Sequence, residues 1–219
     1  MRLYAYKSKK GDDLFGFAGI SVAWHVEDAL WPALQGQPSV HCAARCARRP
    51  LYTPALMSAA ASGKRIKLVV GASAGGHANE LELLLQAAKG AWPVEPEAFV
   101  TTMQITADGF ARHGRPVHVI GEADRRKPIE AVGVLFRSFM LALKMRPTVV
   151  VTTGSMPLAV FCIWSKLLGA RIVWIDSVAQ IDHMSVSGQV MRRVADLCLV
   201  QWPDLVEKYP GVVYSGELL

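Results

Sequence analysis

From Arg65 onward, short runs rich in β-branched residues alternate with helix-length amphipathic stretches. This alternation is typical of βαβ units, which set strands side by side in a mostly parallel sheet with helices packed on it. In such sheets, ligands collect at the carboxyl ends of the strands. Residues 65–219 are therefore predicted to form one α/β domain, half of a doubly wound architecture. Strands are predicted at 66–70, 98–102, 116–120, 148–153, 171–175 and 197–201, and helices at about 77–89, 129–145, 157–168, 187–195 and 204–208.

The first 64 residues show no comparable pattern. Turn formers and arginines are scattered through them without a clean helical or strand period. We expect little stable structure there, so residues 1–64 are predicted to be a poorly ordered extension. Met57, followed by SAAASGK, has the character of a natural start, so an unneeded extension and a misplaced start site are the two hypotheses for part of this segment.

Charge and composition bear on the class of protein. The formal net charge is +6, but residues up to Lys64 include eight basic and four acidic residues, and the remainder includes 16 and 14. A nucleic-acid partner is not expected, because duplex binding needs basic residues clustered on one folded face. No run of about 18 uncharged apolar residues predicts a membrane-spanning helix, and the N-terminus lacks a signal-peptide pattern. A cytoplasmic location is the resulting expectation.

The cysteines do not predict a metal site. Cys42 and Cys46 are close in sequence but lack the second pair of ligands that a zinc site requires. Cys162 and Cys198 lie within the predicted α/β domain, and we expect them to be reduced and to fill small spaces in the core.

The stretch KLVVGASAGGHANELELLLQAAK, residues 67–89, places a glycine-rich turn between the first predicted strand and a helix. Gly75 and Gly76 leave room for backbone N–H groups to approach an anion at the positive end of the helix. The glycine spacing is not that of a dinucleotide-binding loop, and no Walker lysine follows. A phosphate-binding turn and a purely structural tight turn are both consistent with this pattern.

Three polar residues follow these glycines. His77 is predicted at the start of the helix, where a neutral imidazole can donate to a phosphate or a sugar hydroxyl, or act as a base. A capping or packing role is the alternative for a single histidine. Asn79 and Glu80 are predicted in the first turn, where the Glu80 carboxylate suits the helix dipole.

Further polar residues follow the later strands. In TTGSMPLAV, a strand ends in a glycine turn before a helix that opens with proline, and Thr153 or Ser155 is predicted to cap that helix. Asp176 comes directly after the next apolar strand, where it is placed to act as a base or to satisfy backbone donors of its own loop. Gln201 and Trp202 follow the last predicted strand, and ligand contact and packing are the alternatives for them.

The helix predicted within residues 128–147 repeats apolar residues at six positions and carries Arg137 and Lys144 on another face. A basic amphipathic helix can lie on an anionic membrane, and an ordinary helix packed on a sheet has almost the same pattern. Both interpretations stay open from the sequence. The apolar positions are Val132, Leu135, Phe136, Phe139, Ala142 and Leu143.

Three segments resemble the Alg14/PssD family in their order and spacing: GASAGGHANELELLL, VVTTGSMPLAVFCIWSKLLGARIVWIDSVAQIDHMSVSGQ and ADLCLVQWPDLVEKYPGVVYSGELL. The resemblance covers about residues 65–219, and the glycine-histidine turn is shared with the wider MurG-like glycosyltransferases. Eukaryotic members are subunits of the UDP-N-acetylglucosamine transferase that adds the second sugar to dolichol-linked oligosaccharide. Bacterial members serve exopolysaccharide and related lipid-linked glycan assembly.

The resemblance implies a Rossmann-like fold that forms the N-terminal half of a split GT-B glycosyltransferase. A separate, small Alg13/PssE-like subunit would bind the UDP-sugar donor, and the acceptor would be a lipid-linked sugar. Such enzymes need no bound metal or cofactor. Eukaryotic members carry an N-terminal spanning helix, which the pattern here does not predict. The resemblance therefore implies peripheral attachment to the cytoplasmic face of a membrane, with the basic helix at 128–147 as the candidate contact.

Carried over residue by residue, the resemblance assigns roles to three groups of positions. His77 is the first candidate for the base or acceptor contact, and Asp176 is the second. Gln180 stands where the eukaryotic pattern has an arginine. The further acceptor or phosphate contacts implied are Gly75, Gly76, Asn79, Gly154, Ser155 and Ser177. The partner-interface residues implied are Tyr214, Gly216, Leu218 and Leu219.

The resulting prediction is an acceptor-side, scaffolding subunit of a two-chain inverting glycosyltransferase of the N-acetylglucosaminyl- or glucuronosyl-transferase type. Its acceptor hydroxyl would attack the anomeric carbon of a UDP-sugar, which requires a base and stabilisation of the leaving diphosphate. Two alternatives remain. One is a self-sufficient nucleotide- or phosphate-binding α/β enzyme, and the other is a membrane scaffold whose glycine turn has no chemical role.

Overall fold

The computed structural model describes residues 65–89, 92, 94–123 and 128–218. The predicted extension at 1–64, with Met57, Cys42 and Cys46, lies outside these residues. Within them, seven strands alternate with six helices. The strands are β1 (Leu68–Ala72), β2 (Ala98–Thr101), β3 (Val117–Val119), β4 (Val149–Thr152), β5 (Arg171–Ile175), β6 (Leu197–Val200) and β7 (Val213–Tyr214). The helices are α1 (Gly76–Ala87), α2 (Gln104–Ala111), α3 (Pro128–Met145), α4 (Met156–Leu167), α5 (Val186–Val194) and α6 (Asp204–Lys208).

All seven strands form one sheet in the order β3-β2-β1-β4-β5-β6-β7, and every neighbouring pair is parallel. The predicted Rossmann-like, doubly wound sheet is confirmed. The chain builds outward from β1 to β3 and then returns to place β4 against the other side of β1. This reversal creates the crevice at which doubly wound folds bind ligands, outside the carboxyl ends of β1 and β4.

The sequence pattern located six strands and five helices within a few residues of their observed ends, and it missed two elements. Helix α2 is only eight residues long and contains Gly109, which weakens a helical pattern. Strand β7 has only two residues, too few for an alternation to be recognised. Pro157 lies in the first turn of α4, as the sequence pattern predicts, and Gly169 follows that helix at φ 96°.

Two apolar clusters lie on opposite faces of the sheet because successive strand residues point to opposite sides. Val69 and Val150 belong to the cluster beneath α3 and α4, while Val70 and Val151 belong to the cluster beneath α1 and α2. Trp174 is fully buried in the first cluster. Cys162 and Cys198 are also buried in this first cluster, which confirms their prediction as core residues, and burial raises the pKa of the Cys162 thiol.

Helix α3 packs differently from the prediction. Its buried face consists mainly of small residues, Val134, Ser138 and Ala142, which are at most 1% exposed. Of the six predicted apolar positions, only Ala142 is buried, and Phe139 packs half-buried against the Trp164 ring at a centroid distance of 5.0 Å. The larger apolar residues at the other predicted positions are exposed, and so is Met140. The exposed ones form a surface that we call the α3 stripe: Val132, Leu135, Phe136, Met140 and Leu143.

Candidate functional site

The turns that follow β1 and β4 meet at the crevice between these strands. The His77 Nδ1 atom lies 2.7 Å from the carbonyl oxygen of Thr153, and the Thr153 hydroxyl donates to the His77 carbonyl oxygen, also over 2.7 Å. The two residues are thus joined by a reciprocal pair of hydrogen bonds. Because His77 is the second residue of α1, this pair fixes the start of that helix against the end of β4.

The contact with Thr153 determines which nitrogen of the His77 ring carries the proton. A carbonyl oxygen only accepts, so Nδ1 is the donor, and in the neutral ring Nε2 keeps its lone pair. The ring is half-buried. A Cβ on Gly154 would come within 3.1 Å of the His77 ring, and Gly154 has a φ of +117°, so glycine is required beneath the imidazole. This arrangement can present Nε2 as a base or as a hydrogen-bonding contact.

The glycine turn before α1 is open to solvent. Gly75 and Gly76 are exposed, and an added Cβ at either position would meet nothing within 4 Å. Gly75 has a φ of +77° and begins the helix without a side-chain cap. Asn79 is exposed on the next turn. There is space for a ligand above these residues, and their role as acceptor or phosphate contacts stays a prediction.

The predicted capping of α4 is wrong. Ser155 is the N-cap residue, but its side chain makes no capping hydrogen bond because its backbone adopts a φ of 94°. Its Oγ is buried and has no hydrogen-bond partner within the described residues. Thr153 cannot cap the helix because its hydroxyl is bonded to His77. Ser155 therefore lies beside the His77 turn, and its predicted acceptor contact stays untested.

Asp176 joins the end of β5 to the start of α5. Its carboxylate accepts hydrogen bonds from the Ser185 N–H at 2.9 Å and the Ser185 hydroxyl at 2.6 Å. Ser185 also caps α5 by accepting from the Gly188 N–H at 2.8 Å. The alternative prediction, in which Asp176 satisfies donors of its own loop, is confirmed. Asp176 is 1% exposed, so these contacts favour a structural role, and its assignment as a base stays a prediction.

Glu80 is the residue that the sequence interpretation misjudged. It does not lie in the first turn of α1 but points toward the ends of β5 and β6, 4% exposed. Its Oε1 accepts from the Ser177 hydroxyl at 2.9 Å and the Val178 N–H at 3.2 Å. Burial raises the pKa of Glu80, against the lowering effects of Ser177, the nearby His77, Val178 and Gln201. The available signal was helical phase, because Glu80 shares its face with the buried Leu84.

The C-terminal segment runs along the same edge of the sheet. Tyr214 lies on β7 and is 40% exposed, and Gly216 follows it with a φ of 84°. The Leu218 N–H donates to the Gln201 Oε1 at 2.7 Å, while the Leu218 side chain packs against the cluster beneath α1 and α2. Leu219 lies outside the described residues. The predicted partner-interface segment is thus tied to the core at Leu218 and exposed at Tyr214.

The candidate residues therefore gather at the carboxyl edge of the sheet, although the sequence places them as far apart as Gly75 and Leu218. Trp202 packs half-buried there, with its indole N–H donating to the Val178 carbonyl at 2.6 Å, which confirms its packing role. Asp182 and His183 are exposed in the loop before α5. Among the described residues, no group of three or more His, Cys, Asp and Glu side chains is arranged to hold a metal ion.

Comparison with known proteins adds sequence evidence from β3 onward. Residues 118–218 match the family model described as "Oligosaccharide biosynthesis protein Alg14 like". The Mus musculus protein "UDP-N-acetylglucosamine transferase subunit ALG14" is 35% identical over 88 residues, which are 37% of this chain and 41% of the mouse protein. The Yarrowia lipolytica subunit of the same name is 34% identical over 92 residues, which are 37% of this chain and 43% of the Yarrowia protein. The alignments thus span about two fifths of each relative.

Two solved structures share the fold at low sequence identity. MurG from Acinetobacter baumannii has a TM-score of 0.53 and 13% identity, covering 68% of this chain and 45% of MurG. UDP-N-acetylglucosamine 2-epimerase from Rickettsia bellii also has a TM-score of 0.53, with 12% identity. The likeness covers 70% of this chain and 45% of the epimerase. These two likenesses show the fold alone. The sequence matches are more specific, and they show that residues 118–218 of this chain are similar in sequence to Alg14 proteins.

Proposed function

We propose that this chain is the acceptor-side subunit of a two-chain, UDP-sugar-dependent glycosyltransferase in lipid-linked oligosaccharide or exopolysaccharide synthesis. The observation that supports this most directly is the His77 ring, held by Thr153 at the crevice of a Rossmann-like sheet with Nε2 left as a base. The second support is the Alg14-like sequence of residues 118–218, shared with proteins named as UDP-N-acetylglucosamine transferase subunits.

In the proposed reaction, an acceptor hydroxyl attacks the anomeric carbon of the UDP-sugar. The His77 Nε2 takes the hydroxyl proton while the bond to the UDP oxygen breaks, and UDP leaves as the diphosphate. The open turn at Gly75 and Gly76 lies next to this histidine, where it has room for the phosphates of a lipid-linked acceptor. N-acetylglucosamine is the sugar favoured by the names of the relatives, and glucuronosyl transfer is the second possibility.

The donor is bound, in this proposal, by a separate small subunit of the Alg13/PssE type. Support comes from the word "subunit" in the names of the relatives. On this chain, the half-exposed Tyr214 and the segment around Gly216 lie beside the crevice, where a partner can cover the site and contact the tail together. No bound cofactor takes part on this chain, and the partner stabilises the leaving diphosphate.

We also propose that the α3 stripe rests on an anionic membrane at its cytoplasmic face. Phe136 is 63% exposed and Val132 is 64% exposed, which is unusual for large side chains on a single helix face. Arg137 and Lys144 are exposed alongside them. An apolar face bordered by basic residues suits a lipid surface that carries negative headgroups. No helix in the described part of the chain has the length and apolar character needed to span a membrane.

The test of the glycosyltransferase proposal is co-purification with a small donor-binding subunit, followed by assay of UDP release with a lipid-linked acceptor. UDP release is expected only from the pair. His77→Ala is expected to lower it about 10²- to 10⁴-fold without separating the subunits, the range of a lost general base. His113→Ala is the matched control, because His113 pairs with Glu82 away from the crevice.

Each alternative function makes a different prediction in this assay. A self-sufficient nucleotide-dependent enzyme would be active as a single chain. A scaffold without a chemical role would leave the activity of the pair unchanged when His77 is replaced. A chain that binds no donor-binding subunit would overturn the two-chain proposal.

A further inference from the structure

The Gln201 side chain connects the crevice with the C-terminal tail, residues 215–218. It is 1% exposed and makes hydrogen bonds at both ends of its amide. Its Nε2 donates to the Glu80 Oε2 at 3.2 Å and to the Asp176 carbonyl oxygen at 2.9 Å. Its Oε1 accepts from the Leu218 N–H at 2.7 Å. One buried amide thus bonds α1, the end of β5 and the tail.

The direction of these hydrogen bonds is determined by the groups around the amide. The Glu80 Oε2 and the Asp176 carbonyl oxygen both accept from Gln201, so both contacts require its Nε2 donor. The Leu218 N–H only donates, so it requires the Oε1 acceptor. A reversed amide would place donor against donor and acceptor against acceptor in a buried space, which is costly. The Glu80 carboxylate therefore helps to set the orientation that holds the tail.

The same carboxylate lies close to the candidate base. Glu80 follows His77 by three residues on α1, one helical turn away, and His77 lies close enough to lower the pKa of Glu80. The other Glu80 oxygen holds Ser177 and Val178 at the end of β5. A displacement of Glu80 would consequently disturb both the helix that carries His77 and the Gln201 amide that binds the tail.

We propose that Glu80 and Gln201 are positioning residues that couple the C-terminal tail to the His77 turn. This rests on the proposed function, in which the tail contacts the donor-binding subunit and His77 contacts the acceptor. A partner bound to the seated tail holds Gln201, and through it Glu80 and the start of α1, in the geometry described above. Neither residue touches the reacting atoms in this proposal.

The first test uses the full chain without a partner and follows hydrogen exchange in its C-terminal peptide. Glu80→Gln keeps the size of the side chain, but the Val178 N–H requires its oxygen, so the new NH2 group faces the Gln201 Nε2 donor. This donor-to-donor contact displaces the Gln201 amide and weakens its bond to Leu218. Exchange of the tail is expected to become about tenfold faster. Glu82→Gln is the matched control, because Glu82 lies on the same helix and pairs with Arg112 and His113. Unchanged exchange in Glu80→Gln would overturn the proposal.

A reciprocal exchange of the two side chains tests whether they act as a pair. Gln201→Glu alone buries a second carboxylate beside Glu80, so it is expected to loosen the tail more than Glu80→Gln does. Combining Glu80→Gln with Gln201→Glu again pairs one amide with one carboxylate, but it leaves the Asp176 carbonyl facing a carboxylate oxygen, so a partial recovery of tail protection relative to Gln201→Glu is expected. Failure of this recovery in a folded double variant would show that the two residues do not act together. Gln201→Met removes all three hydrogen bonds of this side chain and replaces a single variant that does not fold, with faster exchange of the tail as its expected result.

The last step measures the assembled pair of subunits. For Glu80→Gln, the dissociation constant of the partner is expected to rise about tenfold and kcat to fall, with KM for the UDP-sugar unchanged. A variant with altered tail exchange but wild-type affinity and kcat would contradict the coupling. If the wild-type pair releases no UDP, the proposed function fails, while the exchange experiments still decide whether Glu80 and Gln201 hold the tail.

Discussion

At the scale of single residues, the candidate site depends on a few buried hydrogen bonds whose donors and acceptors are unambiguous. Thr153 is the clearest example, since its carbonyl orients the His77 ring and its hydroxyl holds the His77 backbone. The sequence placed these two residues 76 positions apart, on different strand ends. Their pairing depends on the adjacency of β1 and β4, which no local pattern reveals.

Replacing Thr153 with valine is expected to lower kcat about tenfold while the chain stays folded. The change removes the hydroxyl that donates to His77 and keeps the β-branched shape, and one lost hydrogen bond corresponds to about 1 kcal/mol. Thr101→Val is the control, because the buried Thr101 hydroxyl has no hydrogen-bond partner within the described residues. Equal UDP release from both variants, measured beside their melting temperatures, would contradict the positioning of His77 by Thr153.

The Asp196 carboxylate is expected to make the free energy of unfolding depend on pH in the acidic range. Burial opposes its ionisation, but contacts with Lys166, the Ile172 N–H and Arg171 outweigh burial and lower the pKa of its carboxyl. A lowered pKa stabilises the fold above the ordinary pKa of aspartate, and the contribution disappears as pH falls through the lowered value. Asp196→Asn is therefore expected to lower the free energy of unfolding at pH 7, and this effect is expected to shrink as pH falls below the ordinary aspartate pKa of 3.8.

Urea titrations of wild type and Asp196→Asn across this pH range check the prediction. Asp108→Asn is a suitable control, because Asp108 is an exposed residue of α2 whose carboxylate accepts a hydrogen bond from the Gln104 side-chain amide. A difference between wild type and Asp196→Asn that is independent of pH would show that the ion pairs are not its cause.

At the scale of secondary-structure elements, the positions of the strands and long helices were predictable from the sequence. The helix faces that are buried and the distant residues that they contact were not. The β-branched runs and helix periods located β1 to β6 because propensity and burial act in the same direction there. They did not reveal that α3 packs through Val134, Ser138 and Ala142, because the choice of face depends on the neighbouring helix α4. Likewise, the sequence predicted that Glu80 interacts with the helix dipole. Its hydrogen bond to Gln201 could not be predicted, because Gln201 is 121 residues away.

The start of α5 packs so closely against Asp176 that a larger residue at Gly188 is expected to destabilise the fold. The sequence Ser-Val-Ser-Gly packs directly against Asp176, and a Cβ on Gly188 would lie 2.4 Å from the Asp176 Oδ1. Gly188→Ala is therefore expected to destabilise the chain by about 1–3 kcal/mol, the usual cost of overpacking. Gly109→Ala is the control, because this helical glycine has open space around it and alanine favours helices. Denaturant unfolding of both variants gives the comparison, and equal stabilities would contradict the close packing.

At the scale of the whole molecule, three surfaces of one sheet have separate proposed roles. The crevice at β1 and β4 is proposed for the acceptor, and the tail beyond β7 for the partner. The α3 stripe is proposed for the membrane. Helix α3 starts at the carboxyl edge, since it follows β3, so a bilayer against the stripe would lie near the crevice. A lipid-linked acceptor could then reach His77 without leaving the membrane.

Phe136→Asp is expected to abolish binding of the full chain to vesicles that contain anionic lipid, with the fold unchanged because Phe136 is 63% exposed. Burial of apolar area and attraction to negative headgroups both contribute to the binding of the wild-type chain to vesicles. Because salt screens the attraction, wild-type binding is also expected to weaken as the salt concentration rises. Ile105→Asp is the control, because Ile105 is 74% exposed on α2, on the opposite face of the sheet. Flotation of both variants with anionic and neutral vesicles measures the effect. Equal binding of the two variants would exclude the α3 stripe as the membrane contact, and salt-independent self-association lost in Phe136→Asp would instead assign the stripe to a second copy of this chain.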